Sequence, residues 1–353
     1  MISKKAVLSQ LAMIAVLGAS TSALAADRFS VEDWGKSFKA SLSEKSGKTT
    51  LDLLDFKKLE NKTISAESEA KNKIKKAREL FAKGKFDQSL ELYNQIPKGS
   101  DYWFQAVEEK GWAYFRKNDS EKAIAQSKTL ISPQFAEVVN SEAFLLQSLA
   151  NLKICNYKEV FNTTQMFKEK QRERIASVQI LSKEGFSDSF INVLKKVNKF
   201  PLQASDVGES LVDMPVLYYK DLELQRQMLR FKVSQKAMEI LRDNGTQAKL
   251  QGQLDKINQE AFGKMKLRLK ALASQETQDN KKVVAKLNLV EVEAIQRIHT
   301  DQQLDKKAFT ENKFRETTDD QLVFMDDGKP WIDELDKYDV VTKSCPQNVR
   351  RKM

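Results

Sequence analysis

Between residues 74 and 167, small and bulky apolar residues recur three and four positions apart, and the short pattern they make comes back twice. Its first copy carries Ala77, Leu80 and Phe81, a break at Gly84, and then Phe86, Ser89, Leu90 and Tyr93. Residues so spaced share one face of a helix and glycine supplies the break, so the copy predicts a helix, a tight turn and a second helix. The second copy has Gly111, Tyr114 and Phe115 before Asn118, with Ser120 and Ala123 after it. A weaker third has Ser148, Asn151 and Leu152 before Cys155, then Tyr157 and Val160. The turn positions Gly84, Asn118 and Cys155 lie 34 and then 37 residues apart, about the length of one helix pair. That period predicts pairs stacked side by side.

The flanks read differently. Residues 26–69 hold a short amphipathic stretch with Phe29, Val31, Trp34, Phe38 and Leu42, expected to dock as an N-terminal helix. Ile175, Val178, Leu181, Phe186, Phe190 and Leu194 predict a further helix pair broken at Gly185, which closes a repeat region of 70–199. Pro201, Gly208 and Pro215 mark 200–215 as a loop and a boundary. From 216 to 311 there is no proline, and three long helices are expected. The first carries Leu224, Met228, Val233 and Leu241, the second Leu254, Ala261, Met265 and Leu269, the third Val283, Leu287, Val290 and Ala294. Such stripes fold most simply as an antiparallel bundle or coiled-coil hairpin, with self-association through them as the alternative. In 312–353 the period changes. Leu322 to Met325, a turn at Asp327-Gly328 and then Trp331 and Ile332 predict a small β-hairpin, with Phe324 opposite Trp331.

The repeat resembles the tetratricopeptide family, whose period is 34 residues. The first copy has small Ala77 and Ser89 where that family brings its two helices close, and bulky Leu80, Phe86, Tyr93 and Ile96 where it fills the space between pairs. The second keeps Gly111, Ala123, Tyr114 and Leu130, and the third keeps Ser148, Tyr157 and Phe167. The resemblance implies an all-α protein, a tetratricopeptide-like α-solenoid followed by long antiparallel helices and the C-terminal hairpin. It also implies a partner-binding concave face, built here by Lys71, Lys75, Arg78, Gln105, Trp112, Arg116, Leu145, Leu149 and Lys153. These are basic and apolar together, which suits a peptide with acidic residues beside one or two apolar anchors.

Composition agrees with helices: the 353 residues include only 12 Gly and 6 Pro, and 31% are charged. Lys4 and Lys5 before an apolar run from Val7 to Gly18, with Ala23-Leu24-Ala25 after it, form the pattern of a secretory signal peptide over 1–25. The expected location is therefore periplasmic or secreted in a bacterium, with no membrane span once the leader is removed. Loss of Lys4 and Lys5 lowers the net charge by two, from +10 to +8. In an exported protein that charge points to anionic lipid, acidic glycan or an acidic protein face before nucleic acid, while the interspersion of Lys and Glu without long blocks of one sign suits lysines that simply solvate exposed helix faces. An oxidising compartment allows a disulfide between Cys155 and Cys345, the two cysteines present. With His299 the single histidine, no metal site is expected. Gly47-Lys48-Thr49 is like the end of a phosphate loop, but Leu42 stands where the earlier glycine is needed. The carboxylates Asp326, Asp327, Asp333 and Glu334 are those of a solvated turn.

No catalytic residue and no cofactor follow from the sequence. The expectation is a non-enzymatic scaffold for protein interactions in a bacterial cell-envelope complex. Two alternatives stay open: a cell-wall glycan enzyme built on a helical superhelix, like some lytic transglycosylases, and a self-associating structural spacer.

Overall fold

The computed structural model describes residues 28–43, 50, 52–64, 69–100, 102–135, 138–243 and 248–300. The segments expected as a leader and as a C-terminal hairpin, and Cys345, lie outside them. The described chain is mostly helical, as expected, and among the described residues no helix is long and apolar enough to cross a membrane.

Three helix pairs follow one another: α3 (Glu69–Ala82) with α4 (Phe86–Asn94), α5 (Trp103–Arg116) with α6 (Ser120–Ile131), and α7 (Ser141–Lys153) with α8 (Tyr157–Glu184). Each helix contacts the next. The turn inside each pair is built the same way. Gly84, Asn118 and Cys155 all take the left-handed conformation, with φ of 72°, 66° and 61°. In each case the next residue donates its N–H back across the turn: Lys85 to Leu80 O at 2.9 Å, Asp119 to Tyr114 O at 3.0 Å, Asn156 to Asn151 O at 2.9 Å. These bonds satisfy carbonyls that a helix end leaves unpaired. The small residues lie where helices meet, Ala77, Ser89, Ala123 and Ser148 all being fully buried. A Cβ on Gly111 would stand 2.5 Å from Leu146 Cδ2.

Around the pairs the chain departs from expectation twice. The second helix of the third pair does not stop near Phe167: α8 continues without a break for 28 residues to Gly185, whose φ of 81° ends it. The stretches expected as two helices near 250–272 and 283–298 are one, α12 (Ala248–Thr300), 53 residues long. At 1.5 Å per residue it extends about 80 Å. The gap in its apolar stripe is no turn, because 273–282 holds neither Gly nor Pro. There α12 leaves one neighbour for others, and the contacts become polar: Glu276 pairs with Arg174 of α8 at 2.6 Å and Asn280 accepts from Ser141 of α7 at 2.6 Å.

Before that crossing from neighbour to neighbour α12 runs along α11 (Leu222–Asp243) and the last turns of α8, and after it along α7 and the earlier turns of α8. Leu254, Met265 and Leu269 belong to one core, with Trp34 and Phe38 of α1 (Val31–Ser43), Val178 and Leu181 of α8, Phe190 of α9 (Asp188–Lys196), and Met228 and Val233 of α11. Val283, Leu287, Val290 and Ala294 belong to a second core, with the helix pairs. The helix α2 (Phe56–Thr63) is tied to α11 by Glu60 and Arg230 at 2.6 Å. The segment from 200 to 215 is no bare linker. It buries Leu202, Val207, Leu211 and Met214 in the first core and contains α10 (Ala204–Val207). Its first residues form β2 (Lys199–Phe200), antiparallel to β1 (Phe29–Ser30). That pairing of Phe29 with Phe200 was not foreseen in an otherwise helical chain, because two residues are too few to show a period.

Candidate functional site

The inner positions of the three pairs sit on α3, α5 and α7, and they do not share one fate. On α7, Ser141, Leu145 and Leu152 lie on a single face by their spacing of four and seven. Asn280 reaches Ser141 and the Arg297 guanidinium donates to Leu152 O at 3.3 Å, so α12 lies along that face. Leu145 is consequently core, 2% exposed, and cannot meet a partner as expected; Leu149 is half-buried against the same cluster. The chain's own helix covers the third pair.

The first two pairs are not covered by α12 in this way. Lys71, Gln105 and Trp112 are half-buried, and Lys75 and Arg116 are exposed. The Trp112 ring meets Phe115 edge-on, with centroids 5.9 Å apart. Lys153 hydrogen-bonds Asn118 Oδ1, and its ammonium sits 4.9 Å from the Phe115 ring centroid. Arg78 is exposed but already engaged: it donates from Nε and Nη2 to Glu109, at 2.8 and 2.5 Å. The same carboxylate accepts from Tyr93 Oη at 2.7 Å. Burial, and then that hydrogen bond, push the Tyr93 hydroxyl far up, so it stays a donor.

The structure adds three residues that sequence reasoning missed. Glu109 neutralises Arg78. Glu108 stands one residue before it and hydrogen-bonds the carboxyl of Glu142 across from α5 to α7. Desolvation first, and then the neighbouring Glu142, push Glu108 up to about 8. Glu108 thus keeps its proton near neutral pH. Their spacing was legible: Glu108 lies four residues before Trp112, and Glu142 three before Leu145, on the same helix faces. The face is therefore less basic than its lysines and arginines suggest. Lys75 and Arg116 remain without an ion-pair partner among the described residues.

Elsewhere a cleft of about 470 Å³ lies between α1, α11 and the start of α12. Its cations Lys232, Lys236 and Arg242 face the carboxylates Glu32, Glu239 and Asp243. Lys236 is bonded to Glu32 at 3.3 Å and to Glu239 at 3.2 Å, and Lys232 donates to Lys195 O at 3.2 Å. Charges balanced within the wall leave little to direct a ligand. Among the described residues no three His, Cys, Asp or Glu come together as metal ligands. Cys155 is half-buried in the third turn and is disulfide-bonded. Its expected partner, Cys345, lies outside the described residues. No protein-family model, curated protein or solved structure matches this chain.

Proposed function

We propose that the chain is an exported, non-enzymatic scaffold of a bacterial cell envelope, a tetratricopeptide-like array whose first two helix pairs hold a peptide carrying acidic residues beside an apolar anchor. The observation that carries this reading is the different treatment of one repeated face. The third pair is sealed by α12, while Lys75, Gln105, Trp112 and Arg116 on the first two are left accessible or half-buried. A half-buried aromatic on the same helix pairs as cations that have no ion-pair partner among the described residues suits such a ligand, since aromatic anchors carry much of the energy of binding and charge selects the partner.

The test is charge reversal at the unpaired positions. Arg78 is a poor choice because Glu109 already holds it. Lys75→Glu with Arg116→Glu should change thermal stability little, since exposed charges contribute about 0–1 kcal/mol. Capture of partners by crosslinking in intact cells should fall strongly. Unchanged capture by a folded double variant would remove this face from the interaction. A self-associating spacer is the second reading, favoured by Leu289, Val292 and Ile295 on the outward side of α12, which are 68%, 51% and 46% exposed. A monomeric mass at high concentration would exclude it.

A further inference from the structure

We propose that the resident occupant of the face around Lys75, Gln105, Trp112 and Arg116 is the chain's own C-terminal segment, residues 322–339. This rests on the reading of that face as a peptide site and names its ligand. Three observations converge.

The first is where the described chain ends. Leu152 O accepts from Arg297 at 3.3 Å and also from the N–H of Cys155 at 3.2 Å. The last turn of α12 therefore delivers the chain to the third turn of the array, with 53 residues still to come. The second is the disulfide at Cys155. The sequence contains one other cysteine, Cys345. A bond between the two returns the chain to the turn it has just left and closes 301–344 into a loop with both ends on the array. Such a tether presents its segment at millimolar effective concentration. Crossing two helix pairs requires about 20 Å, which six or seven extended residues span.

The third observation is chemical fit. The segment places Asp326, Asp327, Asp333, Glu334, Asp336 and Asp339 around Phe324, Trp331, Ile332 and Leu335, with Lys329 and Lys337 its only cations. The face offers Lys75 on α3 and, one turn from Trp112 on α5, Arg116, both without an ion-pair partner among the described residues, while Glu109 is taken up by Arg78 and Tyr93. Acidic residues around apolar anchors meet a face whose cations Lys75 and Arg116 accompany one aromatic ring, with Glu108 kept protonated beside Glu142. Docked in this way, the segment would compete with any outside partner for this face.

The experiment uses the full chain and a fluorescein-labelled synthetic peptide of residues 318–341. Binding is read by anisotropy for the wild type and for a full chain carrying Trp331→Ser, Asp333→Lys and Glu334→Lys. The expected result is that the peptide binds the substituted chain at least about tenfold more tightly, because the competing internal segment has been disabled. Adding Lys75→Glu and Arg116→Glu to that chain should abolish the gain, and light scattering should give a monomer throughout. Equal affinity for the two chains would overturn self-occupancy while leaving the face a peptide site. Binding to neither would overturn self-occupancy as well, and unchanged partner capture by the Lys75→Glu/Arg116→Glu chain would then remove the peptide site too. A wild-type dimer that dissociates on the three C-terminal substitutions would place the segment on a second copy and overturn docking within one chain.

Discussion

At neutral pH the Glu108 carboxyl still holds most of its proton, because α5 and α7 bury it against Glu142. The other charges nearby are Glu109 and the Arg78 paired with it. A folded-state value of about 8, above the usual 4.5, means that the folded chain binds this proton more tightly than the unfolded chain does. Its contribution to stability is complete below about 4.5 and is lost as pH rises through about 8. Glu108→Gln keeps the shape and removes the ionisation. Urea denaturation should show the variant about 1–3 kcal/mol more stable than wild type at pH 8.5, and little different at pH 5. An unchanged pH slope would show that this carboxyl is not the titrating group. Gly111 makes the second residue-scale prediction. An added methyl meets Leu146, which is itself fully buried, so Gly111→Ala should lose about 1–3 kcal/mol to overpacking against a helix-propensity gain of about 1 kcal/mol. A net fall in melting temperature is expected.

At the scale of elements, α12 has two apolar sides with different consequences. Leu287 is 2% exposed and Leu289 is 68% exposed, two residues apart on one helix. Leu287→Ala should lower stability by about 2–4 kcal/mol, and Leu289→Ala by less than about 0.5 kcal/mol. Similar losses at both sites would mean that the outward side is covered in solution. Much of this level was legible in the sequence. The helix pairs of the repeat, their turns at Gly84, Asn118 and Cys155, and the docking helix around Trp34 and Phe38 follow from spacing alone. What was not legible was continuity. Residues 273–282 lose their apolar stripe without gaining a breaker, and a stripe shows only that a face is buried in something apolar. Where the neighbour supplies Arg174 or Ser141 instead, the helix goes on and the stripe stops. The face around Trp112 was half legible. Its cations were found by their positions, but Glu108, Glu109 and Glu142 decide which of them are free to act, and that depends on distances between helices.

At the scale of the described molecule, the two cores are joined at the crossing where α12, lying alongside α8, passes from α11 to α7, and Arg174 with Glu276 stands at the join. Arg174 Nη2 donates to Glu276 Oε1 at 2.6 Å and to Met214 O at 3.4 Å, and Glu276 Oε2 accepts the N–H of Val216 at 2.7 Å. Burial lowers the guanidinium and raises the carboxyl from their usual values, so each is held charged mainly by the other. Glu276→Ala leaves a buried cation uncompensated and should lose about 3–5 kcal/mol; Arg174→Met with Glu276→Leu should recover most of it. Circular dichroism and tryptophan fluorescence should follow one transition in the wild type and separate in Glu276→Ala, if the crossing is what couples the cores.

The same crossing sets an order of events at the ribosome. The partners of Ser141 and Leu152 are Asn280 and Arg297, more than a hundred residues later in synthesis. At about 5–20 residues per second, the finished third pair waits on the order of ten seconds for the helix that covers it. During that interval Leu145 and its neighbours are an open apolar surface, so this protein cannot complete its repeat region as it emerges. A chain halted before α12 is made should require a holdase to remain soluble.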